Sequence, residues 1–330
     1  MPSYPFLLAL VPRGEYGVDL FFLISAYTLF LSSQAREREP FPRFAFYLRR
    51  AFRILPLWWV TILSYGWAEH RSPKDLLPSL GMYYGFLRYL PRIEVFDAQW
   101  SIFVEESFYL LLPWILSSLT GVRRAAYGFF IAFYVATLWN LGAERWGVPP
   151  DNGYIYWFPL NHWYFFAAGL LLAQLPEAFW NAFMASSLWG CFLPVFLLTL
   201  FLMLPHHEPR LALLPLVLLF GSCRNPLHPL GKLARTQWLG NLGKASYSIY
   251  LGHLALIAAL ERYRPVIFQK TGLISFSPEI RFVVWFSLIA TLCSTLGKLT
   301  FQHLERTTIG WGKRVISAMQ RQNAWQPHTA

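Results

Sequence analysis

The sequence predicts an all-α, polytopic transmembrane helix bundle of about nine spans, and three observations carry that prediction. Hydrophobic residues make up 55% of the chain and charged residues only 14%, a balance that places it among integral membrane proteins. Aromatic residues reach 18%, with 15 Trp and 17 Tyr, far more than a soluble core would use. Apolar segments of spanning or near-spanning length recur from end to end with no long polar block between them, so a single membrane domain is expected.

Taken in order, the apolar runs place spans at Gly17–Leu31, Ile54–Trp67, Trp100–Leu119, Ala125–Leu141, Phe158–Leu175, Leu188–Leu204, Leu211–Cys223, Ala245–Leu260 and Phe282–Leu299. The seventh is short and carries Pro215, which a spanning helix tolerates when its neighbours satisfy the freed backbone. Leu76–Leu90 contains Pro78, Gly81, Gly85 and Arg88 and suits an interfacial or re-entrant piece better than a span. The expected organisation is an outer N-terminal segment over 1–16, a transmembrane domain over 17–303 and a cytoplasmic tail over 304–330. No internal repeat is present.

Orientation follows from Lys and Arg in the connections. Ser32–Arg53, Thr120–Arg124, Cys223–Lys244 and the tail from Gln302 together hold 16, against 11 on the alternate side. The positive-inside tendency makes the first set cytoplasmic, with the C-terminus inside the cell membrane and Met1 outside. The same tendency accounts for the net charge of +11 without nucleic acid, which is not expected as a partner. Cys191, Cys223 and Cys293 are isolated in apolar segments and read as small core residues. Met1 to Val11 has no basic start and no full apolar core, and so does not read as a cleaved signal. Walker-type glycine loops, HExxH, GxSxG and zinc-spaced His/Cys clusters are all missing, so neither a metal nor a bound cofactor is expected.

The most informative stretch is Trp100-Ser101-Ile102-Phe103-Val104-Glu105-Glu106-Ser107-Phe108-Tyr109, which carries adjacent carboxylates into a membrane helix. An acid at mid-span costs roughly 2.5–3.5 kcal/mol on insertion scales and so faces a bundle interior, a polar partner or a water-filled path. Glu105 lies about 7–8 Å along the axis past Trp100, where the helix dipole offers it little. Glu106 points about 100° away, so one of the two is structural. Tyr109 shares the Glu105 face at i,i+4. Asp19, at the start of the first span, has both a catalytic reading and a structural one, since a first-turn carboxylate is favoured by the dipole.

On the inner side, Arg50 and Arg53 share a helical face at i,i+3 and suit bidentate phosphate binding, although arginines at that boundary also snorkel to headgroups. Ser246, Tyr250 and His253 form a polar stripe at i, i+4 and i+7. His253 is expected to face the bundle interior, as a proton carrier or as a hydrogen-bonded packing residue. His162, near the outer end of its span, can reach the level of Asp19 and Glu105, although His and aromatic residues are ordinary at that boundary.

In sequence order these segments resemble the membrane acyltransferase-3 family of integral-membrane O-acyltransferases acting on cell-surface carbohydrates. The resemblance rests on GVDLFFLISAY, YLRRAFRILPLWW, WSIFVEESFYLLLP, WLGNLGKASYSIYLGH and the terminal HLER. It implies a ten-helix fold, cytoplasmic acyl-CoA as donor and a glycan or glycolipid acceptor on the far side. It further implies that Glu105 and Asp19 are polar active-site residues and that Arg50 and Arg53 meet the CoA phosphates. Trp100, Ser101 and Tyr109, with Ser246, Tyr250 and His253, would line the substrate path. Family members begin with a helix bearing an arginine and, about ten residues on, a histidine regarded as the base. This sequence opens in what would be the loop after that helix; Glu105, Asp19 or His162 could substitute for the base, although none occupies the place of that histidine. Three expectations follow: an active acyltransferase, moving an acyl group taken as acetyl, whose true start lies upstream of Met1; a true short form, catalytically weak or dead, serving as a scaffold or binding partner; or a transporter or flippase. The last should show inverted internal symmetry, and none is found.

Overall fold

Proline sets where many of the helices begin. Pro42, Pro73, Pro209, Pro229 and Pro278 each open one, a position where the missing N–H costs nothing and the fixed φ is already helical. The computed structural model describes residues 14, 16–87, 95–148, 153–183, 193, 196–200, 209–226 and 228–324, and no strand occurs among them. The helices are α1 (Tyr16–Gln34), α2 (Pro42–Ala68), α3 (Pro73–Leu80), α4 (Gln99–Ile115), α5 (Val122–Gly142), α6 (Tyr154–Trp157), α7 (Trp163–Leu172) and α8 (Glu177–Phe183). They continue as α9 (Pro209–Arg224), α10 (Pro229–Ala234), α11 (Gln237–Lys244), α12 (Ser246–Glu261), α13 (Arg264–Lys270), α14 (Pro278–Thr300) and α15 (Arg306–Ala324).

By length and composition, three described helical segments can each cross a membrane: Tyr16–Gln34, Val122–Gly142 and the 44-residue run Pro278–Arg321. Large apolar side chains on α5, among them Phe130, Ile131, Tyr134 and Leu141, point outward, as a lipid-facing surface requires. Other predicted spans fall on helices that are shorter or more polar, and Leu188–Leu204 lies mostly outside the described residues. The predicted tail does not start a new element, since the helix that begins at Pro278 passes through 304 into α15.

The chain divides into two units, Met1–Gln34 with Val104–Gly240, and Ala35–Phe103 with Asn241–Ala330. In the first, α7 packs against α1 and α5, and Leu23, Ala168, Leu172 and Trp180 form a buried cluster. Gly169 makes the α1–α7 approach possible. A Cβ there would sit 2.1 Å from the carbonyl oxygen of Leu23, a backbone atom that cannot swing aside. Gly169→Ala is therefore expected to cost roughly 1–3 kcal/mol through overpacking. A lowered unfolding midpoint in detergent would show it, and an unchanged midpoint would mean that α1 and α7 separate freely.

In the second unit, α2 packs against α15 and α12 against α14. Gln99, at the start of α4, is fully buried and acts as a hub. Its amide donates to Ser79 Oγ at 2.6 Å and accepts from Val95 N at 2.8 Å, while its carbonyl accepts from the Tyr84 hydroxyl at 2.5 Å. Outside the spans, Arg49 grips Glu39 through two bonds of 3.0 and 2.7 Å. That guanidinium holds the Glu39 carboxyl below its usual range.

Between α14 and α15 the helix changes type, with Phe301–Glu305 forming a π-helical turn. Such a turn inserts one extra residue and is frequent at functional positions. Glu305, its last residue, is 1% exposed.

Candidate active site

The first unit brings two sequence-predicted carboxylates into separate hydrogen-bond arrangements. Asp19 and His162 are both 0% exposed, with His162 Nδ1 3.2 Å from Asp19 Oδ1. On the far side of the ring, Nε2 lies 2.7 Å from the backbone oxygen of Tyr156. A carbonyl can only accept, so Nε2 carries a proton, and the Nδ1–Oδ1 contact then needs one proton shared between imidazole and carboxyl. The pair is neutral overall whichever atom holds that proton. Asp19 Oδ2 is buried with no hydrogen-bond partner among the described residues.

His162 is placed by a break in the chain. Phe158 is extended, at φ −70° and ψ 139°, the conformation forced on a residue that precedes proline. Pro159–Asn161 then form a 3₁₀ turn, and α7 starts only at Trp163. The span expected over Phe158–Leu175 is thus divided at its beginning, and His162 sits at the join. Asn161 fixes the same turn by donating to Tyr156 O at 3.0 Å and accepting from Asn140 Nδ2 at 2.5 Å.

Glu105 is 4% exposed and belongs to a second arrangement. The Tyr109 hydroxyl donates to Glu105 Oε1, and Ser25 Oγ lies 2.6 Å from the Tyr109 hydroxyl and 3.4 Å from Oε1. With Tyr109 donating to the carboxyl, its short contact with Ser25 is satisfied when Ser25 donates to Tyr109, giving an ordered chain Ser25, Tyr109, Glu105. The i,i+4 pairing of Glu105 with Tyr109 is thus present, and Ser25 is a partner that sequence reasoning missed. Phe166 stacks on Phe22 at 4.7 Å and on Phe108 at 4.2 Å, an aromatic wall built from the same helices that carry Asp19, Glu105 and the residues after His162.

The second unit holds the remaining predicted residues. Ser101 is buried, and its Oγ meets the Tyr250 hydroxyl at 2.5 Å. The Tyr250 hydroxyl also lies 3.2 Å from the carbonyl of Ala98. Trp100, Ser246 and His253 are half-buried, with His253 Nδ1 bonded to the Tyr250 backbone oxygen. The most buried face of α12 lies elsewhere, on Tyr247, Ser248 and Leu251. Ser248 donates to Glu305 Oε2 at 2.8 Å, and Glu305 Oε1 is 3.7 Å from Arg53 Nε. The Arg50 guanidinium lies 5.8 Å from the centre of the Phe46 ring. Glu305, which bonds Ser248 and lies beside Arg53, is a residue that sequence reasoning quoted only inside the HLER motif and did not single out.

Buried acid, histidine and hydroxyl groups lie inside an all-helical chain, three of whose described segments are long and apolar enough to cross a membrane. A family model described as an acyltransferase domain, that of acyltransferase-3, matches residues 2–298, and the chain belongs to that family. Among its relatives are proteins named "Putative O-acetyltransferase" from Staphylococcus aureus strains COL, MSSA476 and MRSA252. Each is 24% identical over 284 residues, covering 76% of this chain and 47% of the relative. The chain therefore spans about half the length of the curated relatives it matches. No solved structure gives a significant match.

Proposed function

We propose that the chain is an integral-membrane O-acyltransferase that moves an acyl group, taken as acetyl, from cytoplasmic acyl-CoA to a hydroxyl of an exported or cell-surface glycan or glycolipid. Its family and the names of its relatives support acyl transfer. The observation that carries the reading further is the burial of Asp19 and Glu105, each with a partner able to hold or pass a proton. In this reading about nine spans cross the cell membrane, with the C-terminus in the cytoplasm.

Transfer requires the acceptor oxygen to attack the thioester carbonyl, its proton to be taken up, and the negative charge on the tetrahedral oxygen to be stabilised until the thiolate leaves and is protonated. Asp19 Oδ2 is the atom suited to receive the acceptor proton, because Oδ1 and both His162 nitrogens are already engaged. His162 then positions Asp19 rather than touching substrate. Glu105, at the end of a chain of hydroxyls, is suited to hold the proton that the departing thiolate requires. Arg50 and Arg53 receive the CoA phosphates, with Glu305 holding Arg53 in place until they arrive.

The test is transfer of labelled acetyl from acetyl-CoA to a glycan acceptor by the full chain in proteoliposomes. Proton-coupled flux in the absence of acyl-CoA would favour a transporter instead, and the absence of both activities would favour a scaffold. Arg50→Ala combined with Arg53→Ala is expected to weaken acyl-CoA binding about 10-fold or more, the scale of lost charge-assisted hydrogen bonds. Unchanged affinity in a direct binding titration would return both arginines to the role of topology anchors.

A further inference from the structure

A polar cavity of about 210 Å³ lies at the C-terminal end of α9, lined by Glu177, Trp180, Asn181, Arg224, Asn225 and Arg235 among others. All of these belong to the first unit, and none takes part in the acyl-transfer chemistry argued above. The charge count places this end on the cytoplasmic side.

The lining is rich in hydrogen-bond donors. Arg224 lies 4.8 Å from the centre of the Trp180 ring, so the indole face fixes one side of the guanidinium. Arg235 donates to the backbone oxygen of Arg224 at 2.7 Å. That single bond satisfies a terminal carbonyl of α9 and leaves most of the donors on Arg235 uncommitted. Trp180 is 4% exposed, yet its Nε1–H is buried with no hydrogen-bond partner among the described residues, and Arg224 Nη1 is in the same condition. A buried donor left unsatisfied costs about 1–3 kcal/mol, and both residues line this cavity, where an acceptor would offset that cost.

One acceptor already sits at the mouth. Glu177 pairs with Arg224 Nη2, but its side chain is 73% exposed, so it is a loosely held counter-ion that another anion can replace. Two guanidinium groups against one carboxylate leave the cavity one positive charge in excess, and planar guanidinium forks match the oxygens of a phosphate.

We propose that this cavity binds a phosphate group, with Arg224 and Arg235 as its ligands, Trp180 as a third donor and Glu177 as the internal anion that the phosphate displaces. The phosphate belongs either to a lipid headgroup or to a soluble phosphate compound, and the test separates the two.

Binding would be measured on the full chain with three probes: inorganic phosphate, coenzyme A, and nanodiscs containing phosphatidic acid compared with nanodiscs of phosphatidylcholine alone. Arg235 and Glu177 are exposed enough to be replaced without disturbing the fold. Arg235→Gln is expected to weaken binding of the responding probe about 10-fold or more, while Glu177→Gln tightens it several-fold by removing the competing carboxylate. A response with phosphatidic acid alone identifies a headgroup site, and a response with inorganic phosphate or coenzyme A identifies a soluble ligand. Acyl-CoA binding through Arg50 and Arg53, as proposed above, is expected to be unchanged by both substitutions, which keeps the two sites distinguishable. The proposal is overturned if no probe binds in an Arg235-dependent way, or if Glu177→Gln weakens binding, as a purely structural α8–α9 ion pair would predict.

Discussion

Glu105→Gln is expected to lower acyl transfer by at least about 100-fold, the usual scale for losing a positioned acid or base, while the protein still inserts and folds. The amide is nearly the same size as the carboxyl and keeps an oxygen able to accept from Tyr109, so the Ser25–Tyr109 chain has a partner. What disappears is the capacity to exchange a proton. Removing a carboxylate from the membrane interior also lowers the insertion cost rather than raising it. The measurement is the rate of labelled acetyl transfer beside a detergent unfolding curve, and near-normal transfer would leave Glu105 with a structural role only.

His162→Ala has the largest expected effect on stability. Asp19 and His162 are both fully buried, and breaking such a pair by removing one partner costs about 3–5 kcal/mol, because the other is left uncompensated. The substitution also opens a space beside Phe22, whose ring meets the imidazole at 5.8 Å. A double-mutant cycle with Asp19→Asn isolates the pair from this packing loss. The combined variant should be less destabilised than the sum of the two single ones by roughly 0.5–3 kcal/mol. Strict additivity in unfolding midpoints would mean that the two side chains are neighbours without being coupled.

The sequence made some of this readable and concealed the rest for physical reasons. Helices at Tyr16–Gln34, Val122–Gly142 and Pro278–Thr300 were visible because long apolar runs have few alternatives in a membrane. The expensive carboxylates were visible for the same reason, since Glu105 stands out against its apolar setting. Their partners were harder to see. Ser25 is a small polar residue of the kind that occurs throughout membrane helices, and its bond to Tyr109 spans 84 positions. His162 was noticed, but its pairing with Asp19 depends on the break at Phe158–Pro159, and the apolar pattern runs straight through that break. The Ser246, Tyr250 and His253 stripe was found by counting along an ideal helix, yet the buried face of α12 carries Tyr247 and Ser248, which bond the backbone of Ile54 on α2 and Glu305 in the π-helical turn.

The π-helical turn at Phe301–Glu305 acts as a phase shifter. Each residue of an α-helix advances the side-chain direction by about 100°, so one residue added without an added turn rotates everything after it relative to everything before. Upstream of the turn, Gly297 lets α14 close on Ile249 of α12; downstream, Gly312 lies against Phe52 of α2. Both approaches are made by one continuous rod, and an unbroken α-helical period would aim only one of the two small faces correctly. The spacing between Gly297 and Gly312 is therefore a length code, in which the number of residues matters as much as their identity.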